Sequence, residues 1–431
     1  MDKVLRVGIA GLGTVGASVA RLLQTQAKDL AARAGRAIKV TGVSARDPHR
    51  DRGVDLSDVA FFSDPTALAQ SESIDLFVEL IGGAEGAARK SVTAALTTGK
   101  SVVTANKALL AKHGLELAAL AENTRAALAF EASVAGGIPI VKTLREGLAG
   151  NSIARVYGIL NGTCNYILSR MELEGLSFAE CLADAQKLGY AEADPTFDIG
   201  GFDTAHKLAI LASLAFGVKL DAETIAIEGI QDISLADLKA AEELGFRVKL
   251  LGVAQRTAHG VEQRVHPTMV PLSSPIAQVM GVTNAVTVDA DAVNELTLVG
   301  PGAGGMATAS AVVADIADIA RGIRSAPFGL PVDHLAPAEK SPMQRHEGGY
   351  YIRLAARNHI GAAAAIAQRM AERGISLESI VQRRPGADDS VVPVVLVTYA
   401  TTEVSVREAL SAIVADGHIA EKPQVIRIER E

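Results

Sequence analysis

The sequence is poor in the residues that mark secreted, membrane or nucleic-acid-binding proteins. It holds two cysteines, Cys164 and Cys181, in 431 residues, whereas a disulfide framework needs more of them and serves shorter chains. A reducing cytoplasm is the expected setting, and two cysteines in separate segments make no zinc site. Tryptophan is absent and aromatics are 4% of residues, too few for a stacking groove that binds single-stranded nucleic acid. Lys and Arg number 42 against 49 acidic residues, a formal net charge of -7, and the nearest approach to a basic cluster is Arg383-Arg384. A duplex-binding surface carries excess positive charge, so no nucleic-acid partner is expected. No run of 18 apolar residues occurs, because Glu79, Glu131 or glycines interrupt the apolar stretches, and no membrane partner is expected. The first apolar strand begins near Val4 and leaves no room for a signal peptide.

What is abundant points to a globular enzyme. Hydrophobic residues make up 48%, charged residues 21%, and glycines number 40, which suits a helix-rich α/β chain of two or three domains with close backbone packing. Short apolar strands are expected at residues 4–10, 38–44, 74–81, 101–104 and 126–130. They alternate with helices running to residue 34, to residue 98 and over 105–122. That alternation is the signature of a mainly parallel sheet with helices on both faces. After about residue 150 the pattern changes. A strand (153–158) is followed by a turn or tight helix start at Asn161-Gly162, helices (178–188, 204–216), more strands (247–254, 261–265, 282–288) and a glycine-rich segment opening a helix to residue 320. Residues 325–347 contain Pro327, Pro331, Pro337 and Pro342 and read as a linker or surface arm. Residues 348–431 read as strand, helix, strand, strand, helix, strand, a ferredoxin-like order.

The firmest chemical signal is Gly11-Leu12-Gly13-Thr14-Val15-Gly16 between the first strand and helix. Gly11 permits the turn, Gly13 admits the pyrophosphate, Gly16 lets helix and sheet pack, and the amides of Thr14 and Val15 face the diphosphate. At the end of the second strand the first charge is Arg46, placed to pair with a ribose 2′-phosphate. NADP is therefore favoured, with Asp47 available to serve NAD. Gly82-Gly83 and Thr104-Ala105-Asn106-Lys107 end the third and fourth strands, where a ligand crevice forms. Asn106 reads equally as a helix cap. Lys107 at a helix start opposes the dipole, which points to an anion or a reacting oxygen.

The densest charged constellation is Glu192, Asp194, Asp198, Asp203 and Lys207. Asp203 and Lys207 lie four apart on one helix face, beside Leu208, Ile210, Leu211 and Leu214, so the charges belong in a cleft or core. An active site, an interdomain ion-pair network and a metal site all fit that spacing. For carbonyl reduction few parts suffice: a hydride donor, and an ammonium such as Lys107 or Lys207 to stabilise and protonate the oxygen. No nucleophilic triad stands out; Cys164 has no evident histidine partner, and His206 reads as structural.

Several of these segments resemble homoserine dehydrogenase over essentially the whole chain. They are Gly11–Gly16, Asn161-Gly162-Thr163-Cys164-Asn165-Tyr166-Ile167-Leu168, and Gly189-Tyr190-Ala191-Glu192-Ala193-Asp194-Pro195 running on to Asp198, Gly201, Asp203 and Lys207. Thr104–Lys107 and Gly300-Pro301-Gly302-Ala303-Gly304 match as well. The resemblance implies reversible NAD(P)-linked interconversion of L-homoserine and L-aspartate 4-semialdehyde, a step toward threonine, methionine and isoleucine. By motif position, Glu192 and Asp203 would bind the amino and hydroxyl ends of the substrate. Lys207 and Lys107 would flank the reacting oxygen, while Gly162, Thr163, Tyr190 and Asp198 would complete the wall. Gly302 and Gly82 would join the cofactor site. A monovalent cation, usually sodium, is implied at Glu131, Val134, Gly136 and Ile138.

The resemblance also divides the chain. A Rossmann-type dinucleotide-binding domain (1–150, completed by 300–324) would carry an α+β substrate-binding and dimerisation domain (151–299). A linker (325–347) and an ACT-like regulatory domain (348–431) would follow. A homodimer or homotetramer is implied, with L-threonine as an effector at the tail. The ligand turn there, however, reads Asn358-His359-Ile360-Gly361 in place of the usual Asp-x-Pro-Gly, so a plain dimerisation module is the rival. An NAD(P)-dependent reductase of another small carbonyl substrate and a non-catalytic cofactor-sensing regulator are the alternatives for the whole chain.

Overall fold

In the computed structural model, which describes residues 4–338, 346–358, 360–382 and 390–429, the chain builds two sheets. The expected features at Arg383-Arg384 and His359 lie outside the described residues. The first sheet contains β1 (Leu5–Ala10), β2 (Ile38–Ser44), β3 (Ala60–Phe62), β4 (Leu76–Glu79), β5 (Ser101–Thr104) and β6 (Leu128–Ala129). All its pairings are parallel, in the order β3-β2-β1-β4-β5-β6. The order reverses at β1, and the crevice beyond the carboxyl ends of β1 and β4 is where a dinucleotide binds in such sheets. The helices around it are α1 (Thr14–Thr25), α2 (Ala27–Ala34), α3 (Pro65–Gln70), α4 (Ala87–Thr97) and α5 (Lys107–Thr124). One helix to residue 34 was the expectation; the chain instead breaks at Gln26 and restarts as α2. Neither β3 nor α3 was anticipated, because both are too short for periodicity to register.

The second sheet is mixed. After α6 (Ile140–Lys142) come β7 (Ile153–Ile159), α7 (Gly162–Glu174), α8 (Phe178–Lys187), α9 (Thr196–Ile199) and α10 (Phe202–Phe216). They are followed by β8 (Ala226–Ile227), α11 (Leu235–Glu243), β9 (Phe246–Thr257), β10 (Gly260–Pro271), β11 (Thr283–Ala290), β12 (Asn294–Pro301) and α12 (Gly305–Ala320). Helix α10 lies across β7, β9 and β10 and also meets α5, so it joins the two sheets. Helix α7 is buried almost all round, from Thr163 through Ser169, which erases the amphipathic period that announces a helix in sequence. Helix α12 returns to pack on α1 and α2.

The C-terminal elements are β13 (Glu347–Arg357), α13 (Ala362–Glu372), β14 (Leu377–Gln382), β15 (Val391–Thr398), β16 (Thr401–Thr402), α14 (Glu403–Ala415) and β17 (Gln424–Ile428). They do not stand apart. Strand β17 runs parallel to β10, with Arg427 opposite Thr268, and Thr268 in turn faces Lys249 on β9. The path is continuous: β12-β11-β7-β9-β10-β17-β13-β15-β14. Charged groups reinforce the seam, with Arg353 on Asp237 at 2.7 Å and Arg427 between Glu228 and Glu403. Of the segment expected as a linker or surface arm, the described residues 325–338 are anchored. Phe328 is buried against Phe130, ring centroids 5.3 Å apart, and Leu335 is buried as well. Among the described residues no helix is long and apolar enough to cross a membrane.

Candidate active site

Two helix starts converge at the crevice of the first sheet. Gly11 adopts φ +96°, and a Cβ there would overlap the carbonyl of Leu80 on the neighbouring strand end. A Cβ at Gly16 would overlap Gly11 O, whereas the space beside Gly13 is open. That is the division of labour expected of the three glycines: turn, packing, and access for a ligand. Helix α1 has no side-chain cap and no acidic residue in its first turn, leaving its amides and positive dipole end unopposed. The start of α12 approaches the same place. A Cβ at Gly305 would stand 2.8 Å from Thr14 Cγ2, and α12 too has neither a side-chain cap nor acid in its first turn.

The floor of this crevice is braced by Glu79, which the sequence offered only as an interruption of an apolar stretch. Its Oε1 accepts the N–H groups of Ile81 and Gly82 at 2.8 and 3.0 Å, and Oε2 accepts Thr104 Oγ1 at 2.6 Å. The ends of β4 and β5 are thereby locked together. Asn106 fulfils the capping reading: its Oδ1 accepts Leu109 N–H at 3.0 Å. Arg46 is exposed at the end of β2. Nearby, Arg52 reaches back to Leu12 O at 3.2 Å, a second guanidinium beside the glycine loop that motif reasoning did not single out.

The second cluster is organised around one carboxylate. Asp203, 3% exposed, lies in the first turn of α10. Lys207 Nζ donates to its Oδ2 at 2.7 Å and to Leu160 O at 2.6 Å. Lys107 Nζ, from the head of α5, forms an ion pair with Oδ1 at 2.8 Å. Asn161 Nδ2 donates to Asp203 Oδ2 and to Asp198 Oδ1, both at 2.9 Å. Burial opposes the charged form of Asp203, but the two lysines override it and hold the carboxyl well below its usual range. Burial pulls the Lys207 ammonium down, with Asp203 opposing the shift. Burial pushes Asp198 up, and its neighbour Asp203 adds to the rise. Such a cluster is expensive to bury unless every charge is matched; here two ammoniums and an amide meet one carboxylate.

Asn161 has two tasks. Its Oδ1 caps α7 through Cys164 N–H at 2.8 Å, while its Nδ2 spans the two aspartates. A helix-cap reading of Asn-Gly-Thr would have found the first task, but only the fold reveals the second. Thr163 Oγ1 donates to Tyr190 O at 2.7 Å, tying the 189–195 turn to α7, and Tyr190 packs edge-on against Tyr166. Glu192 is exposed on that turn and does not join the buried cluster. Asp194 accepts Thr196 N–H at 3.1 Å in the turn leading into α9, a structural task. Cys164 is buried, its thiol pushed well up by burial, which removes it as a nucleophile. His206 touches Phe197 edge-on and is held down by burial.

Glu131 is more than an odd charge after a strand. It is 2% exposed, and its two oxygens accept the N–H groups of Val141 and Lys142 at 2.9 and 2.8 Å. Burial first, then the nearby Asp315, push its carboxyl up to about 7. Ala135 and Gly136 follow at φ +52° and +47°, a strained turn in the backbone between Val134 and Ile138. A buried carboxylate beside a turned backbone offers oxygen donors of the hard kind an alkali cation takes. Among the described residues no group of three or more His, Cys, Asp or Glu is placed to hold a metal. Gly302 lies against the Asn284 side chain, two residues before the N-cap of α12.

Comparison with known proteins bears on the same residues. The homoserine dehydrogenase family model matches residues 139–317, and the model for the NAD binding domain of homoserine dehydrogenase matches residues 11–131. The chain is 45% identical to homoserine dehydrogenase of Pseudomonas aeruginosa and 44% identical to that of Neisseria gonorrhoeae, covering 99% of each pair. Among solved structures, a homoserine dehydrogenase from Thiobacillus denitrificans superposes with a TM-score of 0.94 at 43% identity, over 99% of this chain and 98% of that one. A hyperthermophilic archaeal homoserine dehydrogenase in complex with NADPH gives a TM-score of 0.64 at 28% identity, covering 74% of this chain and 99% of that one. With a nicotinamide-binding sheet joined to a lysine–aspartate cluster, this chain belongs to the homoserine dehydrogenase family, the oxidoreductases that interconvert L-homoserine and L-aspartate 4-semialdehyde.

Proposed function

We propose that the reaction is carried out at the Lys107–Asp203–Lys207 cluster, and the observation that carries this is the gripping of one buried carboxylate by two ammoniums. A bound nicotinamide supplies or accepts the hydride at the substrate carbon. Charge then develops on the substrate oxygen, where Lys107 and Lys207 stabilise it. The lysine pair gives that oxygen a proton in the direction of reduction and takes one from it in oxidation. Asp203 holds both lysines in place. Glu192 takes the substrate amino group, with Asp198, Tyr190, Gly162 and Thr163 forming the wall.

NADP is the proposed cofactor, held by Gly11, Gly13, Thr14, Val15 and Gly16 and by Gly82, Thr104, Ala105, Lys107 and Gly302, with Arg46 on the 2′-phosphate. Sodium is proposed at Glu131, Val134, Gly136 and Ile138; the donor chemistry fits, and no catalytic step is routed through it. The proposed domains are 1–150 with 300–324, 151–299 and 348–431, the last ACT-like and joined by residues 325–347. A groove of about 560 Å³ between α14 and residues 228–232 presents Arg407, Lys422 and Glu228, charges of both signs suited to an amino-acid effector such as L-threonine. A homodimer or homotetramer is the proposed assembly.

The test is spectrophotometric homoserine oxidation with NADP and NAD in parallel, repeated with Lys207→Ala and with added threonine. Turnover with NADP that disappears in the variant is expected. Full activity in Lys207→Ala would remove the lysine from the mechanism, and an unchanged rate with threonine would leave the tail without that role.

A further inference from the structure

We propose that Lys249, which touches none of the reacting groups, is a positioning residue that sets the substrate wall through the loop at residues 279–283; this rests on reading Gly162 as part of that wall. Lys249 sits on β9 and is 1% exposed. Its Nζ donates to Asn165 Oδ1 at 3.0 Å and Val279 O at 2.5 Å, and lies 3.4 Å from Met280 Sδ. Asn165, on α7, then turns its Nδ2 to the carbonyls of Val279, Gly281 and Thr283 at 3.1, 2.9 and 3.3 Å. Ser169, one turn further along α7, accepts Gly281 N–H at 3.1 Å. The loop has its backbone acceptors facing inward, and two side chains satisfy them.

What this loop touches gives the arrangement its purpose. The carbonyl of Val282 presses on Gly162, the first residue of α7, where an added Cβ would stand 2.7 Å from that oxygen. Immediately afterwards Thr283 and Asn284 pair with Pro301 and Gly300, and the Asn284 amide packs on Gly302. A displaced loop therefore moves the wall beside the lysine–aspartate cluster and the approach to α12 together. A buried amino group is a costly way to fill space. Burial, with Arg247 nearby, brings Lys249 down to about 7, and an apolar side chain of equal length would avoid that cost. Its directional donation to the Val279 carbonyl and the Asn165 side-chain oxygen is what methionine cannot reproduce.

The experiment compares Lys249→Met and Asn165→Asp with the wild type in steady-state homoserine oxidation, with melting curves on the same preparations. Asn165→Asp keeps the acceptor for Lys249 but loses the donor to the loop, and it guards against a misfolded Lys249→Met. The expected result is a homoserine KM raised roughly tenfold in both, with kcat within about twofold and no matching fall in Tm. An unchanged KM in both would overturn the proposal, as would a lower Tm with unaltered kinetic constants per folded molecule. Lys207→Met is run alongside: if it abolishes turnover while KM stays unchanged in the other two, only the positioning role fails. If Lys207→Met stays active, the reading of the site itself is wrong.

Discussion

Lys107 and Asp203 meet at 2.8 Å across the junction between the two halves of the molecule, one at the head of α5 and the other in the first turn of α10. An ammonium at a helix start is disfavoured by the dipole, and a carboxylate at a helix start is favoured. Their pairing settles both, and it draws the head of α5 onto the head of α10.

Replacing Asp203 with asparagine removes the charge and keeps the shape. Two ammoniums would then face each other without a counter-ion, so kcat should fall by roughly 10²–10³-fold. Stopped assays at saturating homoserine measure this, and a circular dichroism spectrum matching wild type shows that the fold survives. Near-normal turnover would mean that the carboxylate is only structural.

Arg46 is exposed at the end of β2. Arg46→Ala should raise the KM for NADP by roughly ten- to a hundredfold, the scale of a charge-assisted hydrogen bond. The KM for NAD should change little. Equal changes for the two cofactors would place the 2′-phosphate elsewhere, with Arg52 the next candidate.

Lys249 makes stability depend on pH in a stated direction. Burial lowers its folded-state value to about 7, whereas in the unfolded chain a lysine titrates near ~10.4. Below about pH 7 both states carry the proton and the folded state bears the full cost of a buried ammonium. Between these values the unfolded chain binds more protons, so stability rises with pH. The urea midpoint of Lys249→Met should therefore exceed that of wild type most at pH 6, and the gap should narrow by pH 9. A gap independent of pH would contradict the depressed value.

Sodium should raise the melting temperature relative to choline chloride at equal ionic strength. At a tenfold excess over its dissociation constant a ligand adds about 1.4 kcal/mol, a shift of a degree or two in a chain of this size. Glu131→Gln should abolish the difference between the two salts. A sodium response that survives the substitution would move the cation away from residues 131–138.

The sequence was most legible where local chemistry and fold agree. Gly11, Gly13 and Gly16 act through their own backbone and their immediate neighbours, so a motif conveys them. Asp203 and Lys207 were visible as a pair because four residues make one helical turn. Glu79, Asn161 and Lys249 were not. Each acts on groups 25 to 84 positions away, and nothing in the flanking residues announces such a partner. Of helix α7 only the start was legible, as a turn or tight helix start at Asn161-Gly162; burial on nearly every side removes the polar face that would reveal its length.

The alignment of Arg427, Thr268 and Lys249 on adjacent strands sets the distance between the tail and β9. Two strand spacings, roughly 10 Å, separate β17 from β9. Cutting the chain before residue 346 would strip β10 of β17 at Thr268 and Met269, leaving that stretch of edge open to stray pairing while β8 still covers Arg264 and Val265. The tail thus resists treatment as a detachable cassette: shortened variants should be judged first by their tendency to self-associate, and only then by any change in regulation.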